Sequence, residues 1–444
     1  MGKTILKNAI VVNEGKQLVT DILLQDERIV KIDQNISDAN AKIVDVNGKY
    51  VLPGIIDDQV HFREPGLTHK GTIATESKAA IAGGITTFME QPNTNPQTTT
   101  IEKLEEKFAM AANTAWANYS FLFGGTNDNL EELKKLDKKA CSGVKLFLGS
   151  STGNMLVDNE EVIEKIFSNT EMVISAHCED EQTIRQNLAH YQEQYGDDIP
   201  VEYHPIIRSA EACYLSSSKA IALAKQTGAR LHVFHLSTGI ETDLFTNAIP
   251  LEEKKITAEV CIHHLWFADE DYQKKGTLIK WNPAVKTAAD RSKLWEALLD
   301  DRIDVIATDH APHTIEEKDN VYTKAPSGGP LVQHALPAML KKVQEGQITI
   351  EKVVEKMCHN PAKLFDIDKR GYIREGYYAD LVVVDVKAPW EVNKSNIHYH
   401  CGWSPFEGAT FNAAVTHTFI NGHLAYDNGV FSNERHAKRL TFDR

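Results

Sequence analysis

The stretch Val51-Leu-Pro-Gly-Ile-Ile-Asp-Asp-Gln-Val-His61-Phe-Arg63-Glu-Pro-Gly66 sets the reading of the whole chain. Its apolar part predicts a strand over 54–62 that delivers a histidine at its C-terminal end. Further apolar runs predict strands over 85–91, 119–124, 143–148, 172–177, 230–236, 256–264 and 304–310, eight in all. Amphipathic stretches separate them, among them predicted helices over 101–115, 207–226 and 290–299. Such alternation is the pattern of βα units around a parallel sheet, and eight units over about 300 residues predict a (β/α)8 barrel of the α/β class.

The flanks read differently. Before the barrel come β-like pieces over 4–12, 21–25, 28–32 and 42–46, broken by turns at Asn13-Glu14-Gly15 and Asn47-Gly48. After it come strands over 379–386 and 413–420 and an Asn421-Gly422 turn. The two β-rich ends are expected to pair as a small β-sandwich beside the barrel. Residues 1–53 would form its N-terminal part, 54–374 the barrel, and 375–444 the return and tail.

Composition narrows the function classes. Lys+Arg 48 against Asp+Glu 62 leaves a net charge of −14, which argues against nucleic acid and anionic membrane surfaces as partners. Hydrophobic residues at 42% and charged residues at 25% are globular values, so a disordered or collagen-like chain is excluded. The six cysteines are scattered without a C-x-x-C pair, which predicts reduced thiols in a cytoplasmic protein. Apolar runs are far shorter than the ~20 residues needed to span a bilayer. A signal-peptide pattern is lacking, and Leu6 breaks the myristoylation pattern begun by Met1-Gly2.

The polar residues within this frame carry the chemistry. His61, Lys145, His177, His235 and Asp309 each fall at or near the C-terminal end of a predicted strand, the barrel face where active sites are built. One histidine there reads as a structural hydrogen bonder. Several converging with a carboxylate on one rim call for a shared divalent metal. Residues at i and i+2 of a strand point the same way, so a His-x-His pair at this point would chelate one ion. Here the first position is Gln59, whose amide oxygen is a weaker donor to Zn2+ than imidazole.

The opening stretch resembles the amidohydrolase superfamily and, through His61-Phe-Arg63-Glu-Pro-Gly66, the dihydroorotases among it. Further matches follow in order: Gln91-Pro-Asn93-Thr-Asn-Pro96, Gly143-Val-Lys145-Leu-Phe147, Ala176-His177-Cys-Glu-Asp180, His232-Val-Phe-His235-Leu-Ser-Thr238 and Ala307-Thr-Asp309-His-Ala-Pro-His313. Gly376-Tyr-Tyr-Ala-Asp-Leu-Val-Val-Val-Asp385 is similar to the superfamily's returning sandwich strand. The resemblance implies a metal-dependent cyclic amidase that interconverts N-carbamoyl-L-aspartate and L-dihydroorotate in pyrimidine biosynthesis. It implies that Lys145, carboxylated by CO2, bridges two zinc ions, that His177 and His235 hold the second, and that His61 and Asp309 hold the first. Asp309 would also be the general base and acid for water attacking the ring amide. Arg63 and Asn93 would contact the substrate carboxylate, with Asn282 and His313 as further substrate contacts. Gln59 leaves open whether one ion or two are bound. A homodimer is expected by analogy.

Other readings stand beside these. Lys145 has a plain structural role as its alternative, and Arg63 a rim charge or a pair with Glu64. Ser327-Gly-Gly-Pro330 matches the family's loop after the eighth strand, with an ordinary turn as the alternative. His263 and His264 are expected to make structural hydrogen bonds, and Gly83-Gly84 to cap a helix. At the level of function, a dihydropyrimidinase or allantoinase would share the metal site. A non-catalytic homologue assembling with a transcarbamoylase is the reading that Gln59 favours.

Overall fold

The computed structural model describes residues 2–149 and 155–444. The chain opens with β1 (Lys3–Asn13), β2 (Lys16–Gln25), β3 (Arg28–Asp33), β4 (Lys42–Asp45) and β5 (Tyr50–Pro53). It enters the barrel through Gly54, where a side chain would collide with Thr86, its Cβ falling 2.0 Å from Oγ1. Strand β5 is thereby held against the barrel without a spacer.

The eight barrel strands are β6 (Ile55–Val60), β7 (Ile85–Glu90), β8 (Asn118–Gly124), β9 (Gly143–Phe147), β10 (Ile174–His177), β11 (Leu231–Val233), β12 (Ile256–Cys261) and β13 (Val305–Ala307). They pair in sequence order, all parallel, and a bridge between Val60 and His310 joins the last to the first. Almost every residue in them is buried. Strands covered on both faces read as largely apolar runs, and each overlaps the stretch where the sequence places it.

The outer helices follow local rules. Helix Ile101–Thr114 starts where the Thr100 hydroxyl accepts from the Lys103 backbone N–H, and buries Leu104, Phe108 and Ala111 at helical spacing. Phe108 meets Phe121 of β8 edge-on, ring centroids 4.9 Å apart. The helix predicted over 207–226 is two elements. A short helix His204–Ile207 ends at Arg208, and Ser209 then caps a new helix, Ala210–Thr227, by accepting from the Ala212 N–H. Ser is a strong helix starter, and here it wins over the continuous apolar periodicity.

Beyond the barrel come β14 (Leu381–Asp385), β15 (Trp390–Glu391), β16 (Thr410–Phe411), β17 (Ala414–Ile420), β18 (His423–Asp427) and β19 (Val430–Phe431). β15 and β16 form a two-stranded sheet of their own. The others join the N-terminal strands in one nine-stranded sheet, because β14 lies antiparallel to β5 with Val382 opposite Leu52. This sheet encloses its own apolar core, including Leu6, Ile22, Val51, Leu381 and Phe419. Gly83 caps helix Ile73–Ala82 as expected, and all six cysteines are unpaired. Among the described residues, no helix is long and apolar enough to cross a membrane.

Candidate active site

The C-terminal ends of the barrel strands surround a narrow cleft lined by Gln59, His61, Lys145, His177, His235 and Asp309 together with Phe147, Trp281, Asn282, Ala311, Ser327 and Gly328. Each of the five strand-end residues singled out in the sequence is therefore at one place. The backbone there is strained: Arg63, His235 and Asp309 adopt φ of +71°, +40° and +48°, in the left-handed region that side chains disfavour.

One side of the cleft is built on β10 and β11. His177 Nδ1 and His235 Nε2 face each other at 3.0 Å, and His177 Nε2 stands 3.1 Å from Glu179 Oε2. Burial would raise the Glu179 carboxyl, but Arg208 and His177 overcome it and hold it at about 2. His235 Nδ1 is buried with no hydrogen-bond partner. Its backbone N–H donates to Glu259 Oε1 at 3.2 Å. Burial draws the His177 imidazole below its ordinary range, against the pull of Glu179, and that of His235 well below.

The other side is built on β6 and the segment after β13. His61 Nδ1 lies 2.8 Å from the Asn93 side-chain oxygen and Nε2 lies 3.1 Å from Asp309 Oδ1. With Nδ1 donating to Asn93, Nε2 presents a lone pair to a carboxylate, two electron-rich atoms that suit a shared cation. Burial lowers the His61 pKa against the opposing pull of Asp309. The Gln59 side-chain oxygen lies 3.6 Å from Cys261 Sγ.

Between the two sides stands Lys145, 1% exposed. Its Nζ lies 4.0 Å from the centre of the Phe234 ring. Burial outweighs the attraction of Asp309 and Glu259 and lowers its pKa to about 7. A lysine so placed is a neutral amine for much of the time at neutral pH.

Arg63, Asn93 and His313 are buried beside the cleft rather than among the residues lining it. Arg63 Nε donates to the Pro312 carbonyl at 3.0 Å, and another of its nitrogens lies 3.0 Å from His313 Nε2. The pairing with Glu64 does not occur, since Glu64 instead accepts from the Ile73 N–H at the start of a helix. Gly328 lines the cleft at φ +129°, where a Cβ would meet the Ala311 carbonyl at 2.5 Å. His264 Nε2 pairs with the Pro283 carbonyl, whereas His263 stacks on Trp281 at 4.4 Å with both ring nitrogens unpartnered.

A family model described as the amidohydrolase family matches residues 50–425. The chain belongs to the amidohydrolase family. Among relatives in that family, the dihydroorotase of Lactococcus lactis is 35% identical over 439 residues, 95% of this chain and 99% of its own. The dihydroorotase of Halobacterium salinarum is 34% identical over 422 residues, 93% of this chain and 95% of its own. Among solved structures, the L-hydantoinase (dihydropyrimidinase) of Arthrobacter aurescens superposes with a TM-score of 0.94 at 28% identity, covering 99% of this chain and 100% of that one. The family match accounts for the motif order along the chain.

Sequence reading missed the supports of this amidohydrolase site. Glu179 beneath His177 lies within a quoted motif, and its position two residues after a strand-end histidine was the available signal. Glu76 and His310 pair at 2.9 Å, and His310 Nδ1 also accepts from the Leu331 N–H, tying the loop after β13 to the rim. Nothing in the sequence marks Glu76.

Proposed function

We propose that the chain is a dihydroorotase, closing N-carbamoyl-L-aspartate to L-dihydroorotate in pyrimidine biosynthesis and opening the ring in reverse. The observation that carries this is Arg63. Its guanidinium is buried beside the cleft, and among the described residues no carboxylate forms a salt bridge with it. A buried cation with donors to spare suits an anionic ligand, and a carboxylate matches its planar fork. Dihydroorotate carries such a group, and plain hydantoins do not. Asn93 and His313 beside it, and the buried, unpartnered Asn282 side-chain oxygen in the cleft, would complete substrate contact.

The donors fit a metal. Two ligand atoms on one tetrahedral zinc lie about 3.3 Å apart. The His177–His235 and His61–Asp309 pairs, at 3.0 and 3.1 Å, come close to that spacing with neutral imidazoles. His177, His235 and a carboxylated Lys145 would hold one zinc ion, with His61 and Asp309 as the donors for another. Bound there, zinc acidifies water and polarises the amide carbonyl. Lys145 becomes a ligand when its neutral amine forms an N–C bond to CO2 and releases a proton. Asp309, at the edge of the cleft, takes the proton of the attacking water and delivers it to the ring nitrogen that leaves. Glu179 holds His177 in orientation, and Asn93 does the same for His61. Scattered, unpaired thiols suit the reducing cytoplasm as its location.

The L-hydantoinase likeness supports a second reading, a hydantoin-ring amidase. Ring opening by zinc-replete protein in bicarbonate buffer separates them, with dihydroorotate, hydantoin and allantoin compared side by side. Turnover of dihydroorotate alone is the expected result. Turnover of hydantoin alone overturns it in favour of the second reading, and a folded, metal-loaded protein that opens no ring is a non-catalytic homologue.

A further inference from the structure

One residue layer below the cleft, inside the barrel, three strands bring together Asp58 of β6, His232 of β11 and Glu259 of β12, none with any exposed surface. His232 Nε2 lies 3.3 Å from Asp58 Oδ2 and 3.5 Å from Glu259 Oε2. Neither approach is a hydrogen bond. Both Asp58 carboxylate oxygens, Glu259 Oε2 and His232 Nε2 are buried without a partner, an expensive arrangement that calls for an explanation.

The tautomer of His232 sharpens the point. Its Nδ1 lies 2.8 Å from Thr257 Oγ1, and the Thr257 hydroxyl lies 3.4 Å from the Leu231 carbonyl, to which it donates. Thr257 therefore accepts from Nδ1–H, which makes Nε2 the lone-pair nitrogen whenever the ring is neutral. Nε2 and the two carboxylates lie together in the buried barrel core, with their nearest oxygen and nitrogen atoms within 4.8 Å of one another.

We propose that Asp58, His232 and Glu259 form a second metal site, distinct from the rim donors, that takes a divalent transition ion such as Zn2+ or Mn2+. Tetrahedral coordination with bonds of about 2.0–2.2 Å sets ligand atoms about 3.3–3.6 Å apart, which matches both spacings at His232. An imidazolium bonded to these carboxylates would draw them in to about 2.7–2.9 Å. One imidazole with two carboxylates is a donor set for these ions rather than for Ca2+ or Mg2+, which prefer all-oxygen shells. The supports of a ligand set are also in place. Thr257 orients His232, and the second oxygen of Glu259 receives the His235 N–H at 3.2 Å. An ion here would anchor Glu259 and, through it, the strained backbone of His235, so the site acts as a structural strut beneath the cleft.

The competing occupant is a proton. Burial pulls the His232 pKa down, but Asp58 and Glu259 together outweigh it and push it up to about 9 when no ion is present. Crystals of the full chain, measured on both sides of the zinc absorption edge, decide between the two. An anomalous peak among Asp58, His232 and Glu259 is expected, separate from any peak at the rim. The absence of a peak there overturns the site. Metal per chain, counted in solution, should fall by one ion in both Asp58→Asn and His232→Gln, and about tenfold weaker retention is expected for Thr257→Val. An unchanged count in folded Asp58→Asn also overturns it. Where the variants fail to fold, the wild-type map stands alone as the deciding measurement. All readouts are of metal rather than turnover, so failure here is separate from failure of the dihydroorotase reading.

Discussion

The two sides of the cleft are unequally equipped. On the β10–β11 side, two neutral imidazoles meet at 3.0 Å, with His177 backed by a carboxylate that Arg208 keeps ionised. On the β6 side, an amide stands at Gln59 where the i, i+2 pattern would place an imidazole, and His61 leans on Asp309. In the mechanism proposed above, the first side would hold an ion firmly. The second has fewer strong donors, which would leave Asp309 freer to pass protons. That mechanism thus assigns retention and proton transfer to opposite walls.

The largest test of this division is Asp309→Asn. We expect it to fold, keep the metal of the His177–His235 side and lose roughly a thousandfold in kcat, the scale of a general acid–base group. Wild-type turnover would collapse the distinction between the walls. Lys145→Ala should come next. Loss of bound metal together with a fall of about 100-fold or more in activity is expected, because a bound metal supplies several kcal/mol of charge stabilisation in the proposed reaction. Formate or propionate should restore part of the activity by standing in for the carbamate, and full metal content in the variant would make Lys145 a structural residue only.

Substrate choice gives a smaller effect. Arg63→Met should lower kcat/KM for dihydroorotate by about 10–100-fold, as expected for losing hydrogen bonds to a charged group. An equal loss on hydantoin would show that Arg63 acts on the rim rather than on a carboxylate. For Gln59→His, the expected change is tighter binding of an ion on the β6 side, read by titrating metal per chain, with little change on the opposite wall.

The smallest effect is in pH. Burial depresses the Lys145 pKa from the ordinary lysine range to about 7, so its neutral form grows as pH rises through that value. Metal-free protein given zinc at fixed dissolved CO2 should therefore regain activity about tenfold more slowly at pH 6 than at pH 8. A rate independent of pH would show that carboxylation does not limit assembly of the Lys145 wall.

The legibility of these regions in sequence follows from their physics. Barrel strands were readable because burial on both faces favours largely apolar runs, and the rim was readable because five of those runs end at or near a reactive residue. The expected pairing of the chain ends is met by β5 and β14. The layer beneath was not readable. His232 and Glu259 are polar residues within largely apolar runs and Asp58 lies in the polar triplet Asp57-Asp58-Gln59, and only barrel closure brings the three together. Nor did Arg63 signal its contact with His313, which depends on how two loops cross. The break at Arg208 was missed because apolar periodicity carried on through a serine that starts a helix afresh.

The pairing of β5 with β14 has a consequence for how the protein is made. Strand β5 leaves the ribosome before any barrel strand, yet its antiparallel neighbour begins only at Leu381. Through the synthesis of the whole barrel, the N-terminal sheet carries an open edge, the kind of surface on which nascent chains join one another. A chain stopped short of Leu381 would keep that edge for good. Premature termination late in the message, after the last residue of the cleft, should therefore yield an aggregating product rather than a shortened enzyme.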